Sequence, residues 1–301
     1  MDEAISTEQL TKYYGRNRGL DGLNLQVYTG EVFGFLGPNG AGKTTTIRLL
    51  FDLLRPTSGY ARVLGLDPQA DGTALRRRIG YLPGDFVVDG RQPVREMLTY
   101  VGNLRGGVPR RRVEELAARL DLDLNARIRR LSKGNRQKVG LVQAFMHEPE
   151  LLILDEPTSG LDPLVQYEFL ALVREAKMAG QTVFMSSHVL SEVEQIADRA
   201  GIVRAGKLVM VEQVEALHEH ALMRIEIRFD APVPAAAFNN LPDVQNLQIE
   251  DSVLHCQVSG RADALIKAAA RFNVVTIRSV EPNLEEHFFA YYQAEEEHHA
   301  A

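Results

Sequence analysis

Val32-Phe33-Gly34-Phe35-Leu36-Gly37-Pro38-Asn39-Gly40-Ala41-Gly42-Lys43-Thr44-Thr45 is the stretch on which the reading of this chain turns. Its middle, Gly37 to Thr44, fits the pattern G-x-x-x-x-G-K-[ST] directly after a predicted strand, Glu31–Leu36, and at the start of a predicted helix, Lys43–Leu54. The glycines let the backbone curl so that several N–H groups point inward at phosphate oxygens. The helix N-terminus adds unpaired donors and the positive end of its dipole. Lys43 supplies a point charge for β- and γ-phosphates, the Thr44 hydroxyl suits Mg²⁺, and Thr45 offers a further hydroxyl. Gly37, Pro38, Asn39, Gly40, Ala41, Gly42, Lys43, Thr44 and Thr45 are therefore the candidate residues for a nucleoside triphosphate.

Outward from this loop the chain alternates short β-rich runs with helical stretches as far as about Leu217, the mark of an α/β domain. Leu23–Val27 reads as a strand, and Pro56 and Gly59 close the helix that follows the loop. Arg91 to Leu120 reads as helix, broken at Gly106, Gly107 and Pro109. Leu151–Leu154 and Thr182–Ser186 are continuous apolar runs of the kind buried on both faces of a parallel sheet, and Leu190–Ala197 is helical.

Leu151-Leu152-Ile153-Leu154-Asp155-Glu156 ends one of these strands in two adjacent carboxylates. Ligands of parallel α/β sheets gather at that strand edge. Asp155 is the expected Mg²⁺ partner, through oxygen or an intervening water. Glu156 then stands beside the γ-phosphate, suited to orienting the attacking water or taking its proton.

Past Leu217 the character changes. Met223, Ile225, Ile227 and Phe229 alternate with Arg224, Glu226 and Arg228, a period of two that argues a half-buried strand. Leu247–Ile249 and Val253–Val258 flank Glu250-Asp251-Ser252 as a hairpin; Ala262–Arg271 is helical, Val274–Val280 a strand, and Leu284–Tyr292 a final helix. The expected division is an ATPase domain over 1–217 with a helical subdomain at about 86–148, a small α+β domain over 218–292, and a disordered tail over 293–301. Leu284, His287, Phe288 and Tyr291 share one predicted helix face.

With 301 residues, 45% hydrophobic and 25% charged, the composition is that of a globular protein able to bury a large core. No apolar run approaches the roughly 18 residues of a membrane span, and no signal peptide is visible. One cysteine, Cys256, excludes an internal disulfide framework and fits a reducing cytosol. A net charge of −6 argues against nucleic acid as a partner. Between Val101 and Gly140, however, eleven Lys or Arg face four acids, a solvated helical face or a surface near phosphates.

Leu131-Ser132-Lys133-Gly134-Asn135-Arg136-Gln137 resembles the LSGGQ signature of ATP-binding-cassette (ABC) ATPases. Asp155-Glu156-Pro157-Thr158-Ser159-Gly160-Leu161-Asp162-Pro163 resembles the family's joined Walker B and D-loop, and Ser186-Ser187-His188 its switch histidine segment. Tyr14 stands where the family places an aromatic that stacks on adenine. The resemblance implies an α/β P-loop NTPase of ABC type, a mixed-sheet core plus helical subdomain, that binds ATP and Mg²⁺. It also implies a head-to-tail dimer in which each ATP lies between Gly37–Thr45 of one copy and the signature of the other. Ser132 and the Gly134 N–H would meet the γ-phosphate, and His188 would hold Glu156 and the water in place.

Two positions depart from the family pattern. Lys133 replaces the signature's first glycine and adds a cation near phosphate. In Ile79-Gly80-Tyr81-Leu82-Pro83-Gly84-Asp85, Gly84 stands where the family usually has a glutamine that contacts Mg²⁺ and water, which predicts slower or more partner-dependent hydrolysis. The phrase Phe33-Gly34-Phe35-Leu36-Gly37-Pro38-Asn39-Gly40 and the ending Glu281-Pro282-Asn283-Leu284-Glu285-Glu286-His287-Phe288-Phe289 are similar to prokaryotic exporter subunits for drugs, antibiotics and polysaccharides. The implied partners are separate integral membrane permease subunits and a second copy or a paralogous cassette, with the chain held on the cytoplasmic side of the membrane. The competing readings are an ABC ATPase serving translation or DNA maintenance, and a regulatory cassette with weak turnover.

Overall fold

A computed structural model describes residues 2–88, 90–219, 222–259 and 261–280. The chain divides into two compact units, Met1–Glu212 and Gln213–Ala301.

In the first unit, β1 (Glu3–Tyr14), β2 (Asn17–Tyr28) and β4 (Ser58–Val63) form an antiparallel sheet with β1 in the middle. Between β2 and β4 lie β3 (Val32–Leu36) and α1 (Lys43–Leu50). After β4 come α2 (Gly72–Arg78), β5 (Ile79–Leu82) and three helices, α3 (Val94–Leu104), α4 (Arg110–Arg119) and α5 (Lys133–Phe145). The unit is completed by β6 (Leu151–Asp155), α6 (Pro163–Met178), β7 (Thr182–Ser187), α7 (Leu190–Glu194), β8 (Arg199–Arg204) and β9 (Lys207–Gln213). A six-stranded sheet runs in the order β5-β6-β7-β3-β8-β9, with β5 through β8 parallel. The β8–β9 turn, Ala205-Gly206, has positive φ at both residues (47° and 80°), the geometry of a tight hairpin.

Every residue of β3, β6 and β7 is buried, which is why these strands read as unbroken apolar runs. One apolar core joins both sheets through α1. Leu10, Leu20 and Leu25 of the antiparallel sheet, Ile47 and Leu50 of α1, and Phe33, Phe35, Ile153 and Phe184 of the parallel sheet belong to it. At its centre the Phe184 ring stacks on Phe33 at 5.9 Å, interplanar angle 4°.

The α1 helix stops four residues short of the expected Leu54. Asp52 takes a left-handed φ of 54°, and the N–H groups of Leu53 and Asp52 return to the carbonyls of Arg48 (2.9 Å) and Leu49 (3.2 Å). This closure satisfies the carbonyls of the last turn and needs no glycine. The α7 helix likewise ends at Glu194 rather than Ala197.

In the second unit, α8 (Val214–Glu219) precedes an antiparallel sheet ordered β11-β12-β10-β13. Its strands are β10 (Leu222–Phe229), β11 (Val244–Glu250), β12 (Val253–Ser259) and β13 (Val274–Val280), with α9 (Asp263–Ala269) between the last two. Ile225, Ile227 and Phe229 pack with Phe238, Leu254, Val258 and Leu265, on the period-two face read from the sequence. Cys256 lies in this core, and burial pushes its thiol up to about 11, so it packs as an unreactive apolar group. The expected helix Leu284–Tyr292 and tail 293–301 lie outside the described residues.

Candidate functional site: a phosphate loop and its acidic strand end

The loop after β3 leaves the sheet between the carboxyl ends of two parallel neighbours, β7 and β8. Gly37 N–H donates to Ser187 O (3.3 Å), and Ala41 N–H to Pro38 O (3.1 Å). Gly42 has φ 114°, and a Cβ there would stand 2.7 Å from the Gly19 carbonyl, so the turn into α1 admits only glycine. No side chain caps the start of α1, and its first turn carries no acid. The orphan amides of that turn are thus free for an anion.

Lys43 is buried, 6% exposed, and its ammonium donates to Gly37 O (2.5 Å) and Pro38 O (3.3 Å) and pairs with Glu156 Oε1 (3.1 Å). Thr44, one residue on, donates from Oγ1 to Asp155 Oδ2 (2.8 Å), while Ser186 Oγ donates to Asp155 Oδ1 (2.5 Å). Asp155 is 1% exposed, and these two hydroxyls hold both of its oxygens. Burial and the Asp155 charge push the phenol of neighbouring Tyr81 up to about 12.

Glu156 breaks from the strand with φ 48°, a left-handed conformation unusual for a glutamate. Surrounding bonds hold it there. Its N–H reaches Ser186 Oγ (3.1 Å), and Gln137 Nε2 on α5 donates to the carbonyls of Glu156 (3.2 Å) and Pro157 (3.1 Å). The turn aims the Glu156 carboxylate at His188, whose Nδ1 donates to Oε2 at 2.7 Å. Lys43, Thr44, Asp155, Glu156 and His188, separated by up to 145 residues of sequence, thereby form one connected group.

An open depression of about 350 Å³ lies over the loop, lined by Tyr14, Arg18, Gly19, Pro38 through Thr45, and Glu156. Tyr14 is half exposed, its OH 3.4 Å from Thr45 Oγ1. Arg18 is a wall residue that nothing in its sequence neighbourhood marks. Ser186, Ser187 and Gln137 belong to the sequence motifs, and their bonds appear only after folding.

Ser132 and Gly134 do not line this depression. Ser132 is the N-cap of α5, its Oγ accepting from Asn135 N–H (3.2 Å). A Cβ on Gly134 would stand 2.7 Å from the Gly160 carbonyl. A Cβ on Gly84 would stand 3.1 Å from Asp155 Oδ2, so the glycine at the position of the usual glutamine leaves Asp155 uncrowded. Asp85 is exposed.

Residues 20–159 match the family model described as ABC transporter. The bacitracin transport ATP-binding protein BcrA of Bacillus licheniformis is 40% identical over 214 residues, 69% of this chain and 69% of that one. This chain belongs to the ABC transporter ATP-binding proteins. BcrA of Enterococcus faecalis is 33% identical over 298 residues, covering 96% of each ABC protein. A solved ATP-binding subunit of an ABC transporter superposes with a TM-score of 0.67 at 29% identity, covering 71% of this chain and 92% of that one. A cassette solved as a dimer with ADP and Pi shares the fold, with a TM-score of 0.63 at 22% identity, 70% of this chain and 98% of that one. As an ABC ATP-binding subunit the chain is an ATP hydrolase coupled to transport.

Proposed function

We propose that this chain powers export by a separate membrane permease, binding ATP and Mg²⁺ on the Gly37–Thr45 loop and closing on a second cassette. The observation that carries the reading is the joined group Lys43–Glu156–His188 with Thr44–Asp155, set beside a depression from which Ser132 and Gly134 are missing. A depression lined by the loop and Glu156 but not by the signature supports a second cassette, a copy of this chain or a paralogue, as its supplier. Residues 37–45 cradle the phosphates, Lys43 exchanging its loop carbonyls and Glu156 for phosphate oxygens. Tyr14 provides the face for the base.

The Thr44 hydroxyl and Asp155 carboxylate, 2.8 Å apart, are hard oxygen donors that fit Mg²⁺. Mg²⁺ bound there would neutralise charge on the β- and γ-phosphate oxygens. Glu156, released by Lys43 and held by His188, accepts a proton from the water that attacks the γ-phosphorus, and the bond to the β-phosphate oxygen breaks to give ADP and phosphate. Ser132 and Gly134 of one copy hold the γ-phosphate bound to the other, so cleavage loosens the pair and drives the permease.

Among the described residues no helix is long and apolar enough to cross a membrane. The likeness to a bacitracin transport ATP-binding protein and, at 41% identity, to the daunorubicin resistance ATP-binding protein DrrA3 of Streptomyces coeruleorubidus supports a separate integral membrane permease that holds this chain on the cytoplasmic side of the membrane.

The test is gentle solubilisation of membranes from cells carrying the tagged full chain. A polytopic membrane protein recovered in near-equal amount supports the reading. Recovery of ribosomal or DNA-associated proteins without any membrane protein overturns the transport part and leaves the ATPase.

A further inference from the structure

Beside Glu156 and His188, and outside the lining of the nucleotide depression, a third carboxylate joins the segments that carry them. Glu192 stands on α7, directly after the strand that ends in Ser187. Its Oε1 accepts from Thr158 Oγ1 at 2.7 Å, and its Oε2 from Ser187 Oγ at 2.8 Å. Thr158 lies two residues after Glu156, and Ser187 one residue before His188. Both hydroxyl residues are buried, at 5% and 0% exposure. The turn after β6 is therefore tied to the end of β7 and the residues after it by the Glu156–His188 contact and through the Glu192 carboxylate, in addition to the bond of the Glu156 N–H to Ser186.

We propose that Glu192 is a positioning residue for ATP hydrolysis, its carboxylate clamping Thr158 and Ser187 and so setting the spacing of Glu156 from His188. The inference rests on the reading of Glu156 and His188 as the hydrolytic pair and adds a residue outside the nucleotide depression.

The physical case starts with Glu156. A non-glycine residue at φ 48° persists only where its surroundings over-determine it. On the N-terminal side Ser186 holds its amide; on the C-terminal side the turn is closed by Ser159 N–H to Glu156 O (3.1 Å) and Leu161 N–H to Thr158 O (3.1 Å). Gln137 holds the carbonyls of that turn from α5, Thr158 anchors it through its own side chain, and Glu192 is the acceptor the Thr158 hydroxyl reaches. Ser187 has a second acceptor, Val189 O at 3.2 Å, so loss of Glu192 leaves Ser187 satisfied and Thr158 not. The disturbance thus falls on the loop that carries Glu156. A carboxylate suits the place because two hydroxyl donors arrive from different loops and a carboxylate offers only acceptors. Glutamine can still span them: its oxygen accepts from Thr158, its amide donates to Ser187 Oγ, and the Ser187 proton turns to Val189 O.

The experiment measures steady-state ATP turnover of the full chain, with KM for ATP, in the parent, Glu192→Ala, Glu192→Gln, Thr158→Val, His188→Ala, and Glu192→Ala with His188→Ala. Glu192→Ala and Thr158→Val are expected to lower kcat about tenfold or more, as displacements near 1 Å do at reacting groups, with KM within about twofold of the parent. Glu192→Gln should stay within about threefold of parental kcat, because the span survives. Once His188 is gone the spacing no longer matters, so Glu192→Ala should then cost less than about twofold. Parental kcat in Glu192→Ala overturns the proposal, as does equal loss in Glu192→Ala and Glu192→Gln, or the same fold loss in both His188 backgrounds. Should Glu192→Ala not fold, Thr158→Val with parental kcat overturns it alone. Parental turnover in His188→Ala sinks the hydrolytic pair itself, a different failure visible in the same data.

Discussion

Gly134→Ala puts the signature's remaining glycine to a quantitative test. The new Cβ would lie 2.7 Å from the Gly160 carbonyl oxygen, against at least 3.4 Å for an ordinary contact, so about 0.7 Å must be found. The obstacle is backbone, and no side-chain rotation relieves it. Either the first turn of α5 or the turn around Gly160 has to move. Overpacking of this kind costs about 1–3 kcal/mol, and alanine in place of glycine in a helix returns up to about 1 kcal/mol. The net expectation is a loss of about 1 kcal/mol, or roughly 2–4 °C in the unfolding midpoint for a unit of this size. Function should suffer more. The displaced turn lies between Thr158, which anchors the loop of Glu156, and Asp162, which caps α6 by accepting from Val165 N–H. A shift near 0.7 Å transmitted to Glu156 predicts a fall in kcat of about tenfold or more. Binding of ATP to the isolated subunit should hold, since Gly134 does not line the depression. Thermal unfolding without nucleotide, nucleotide titration and phosphate release form the assay. A raised midpoint together with parental turnover would falsify the argument, for it would mean that only helix propensity responded.

Three further outcomes follow from the same geometry. Gln137→Leu removes both donors that tie α5 to Glu156 O and Pro157 O; stability measured by denaturant should drop by about 1–3 kcal/mol, and no drop would mean those carbonyls find other partners. Gly84→Ala crowds Asp155 without adding a polar group and should lower turnover at least about threefold, whereas Gly84→Gln adds an amide that can reach the water and should outpace it; equal turnover in the parent and both variants refutes the role assigned to this glycine. Burial, aided by the Arg105 charge, lowers the His147 imidazole to about 4. Between pH 6.5 and 4 the unfolded chain therefore carries the extra proton, and stability falls as pH drops through that window, by up to about 3 kcal/mol. His147→Gln should flatten this part of the pH–stability curve, and curves parallel to the parent's would exclude His147 as its source.

How much of this was legible in the chain differs from element to element. Gly37–Thr45 announces itself because every residue in it answers to phosphate chemistry, and its strand–loop–helix setting is local. Leu151–Leu154 declared itself a doubly buried strand because a parallel sheet leaves no face for polar residues. The alternation from Met223 to Phe229 likewise needed only its own periodicity, and Val274–Val280 forms the expected strand. The end of α1 did not: Leu53 and Leu54 continue an apolar pattern, and the helix stops because Asp52 turns left-handed so that the last carbonyls find donors. The sequence by itself thus determined which residues carry the chemistry and which strands lie buried, since both follow from side-chain type and local period. Only the tertiary structure decided how those residues meet. The Glu156–His188 contact, the hold of Ser186 and Thr44 on Asp155, the clamp of Glu192 and the press of Gly160 on Gly134 all join segments remote in sequence, brought to one edge by parallel strands whose order no local pattern encodes.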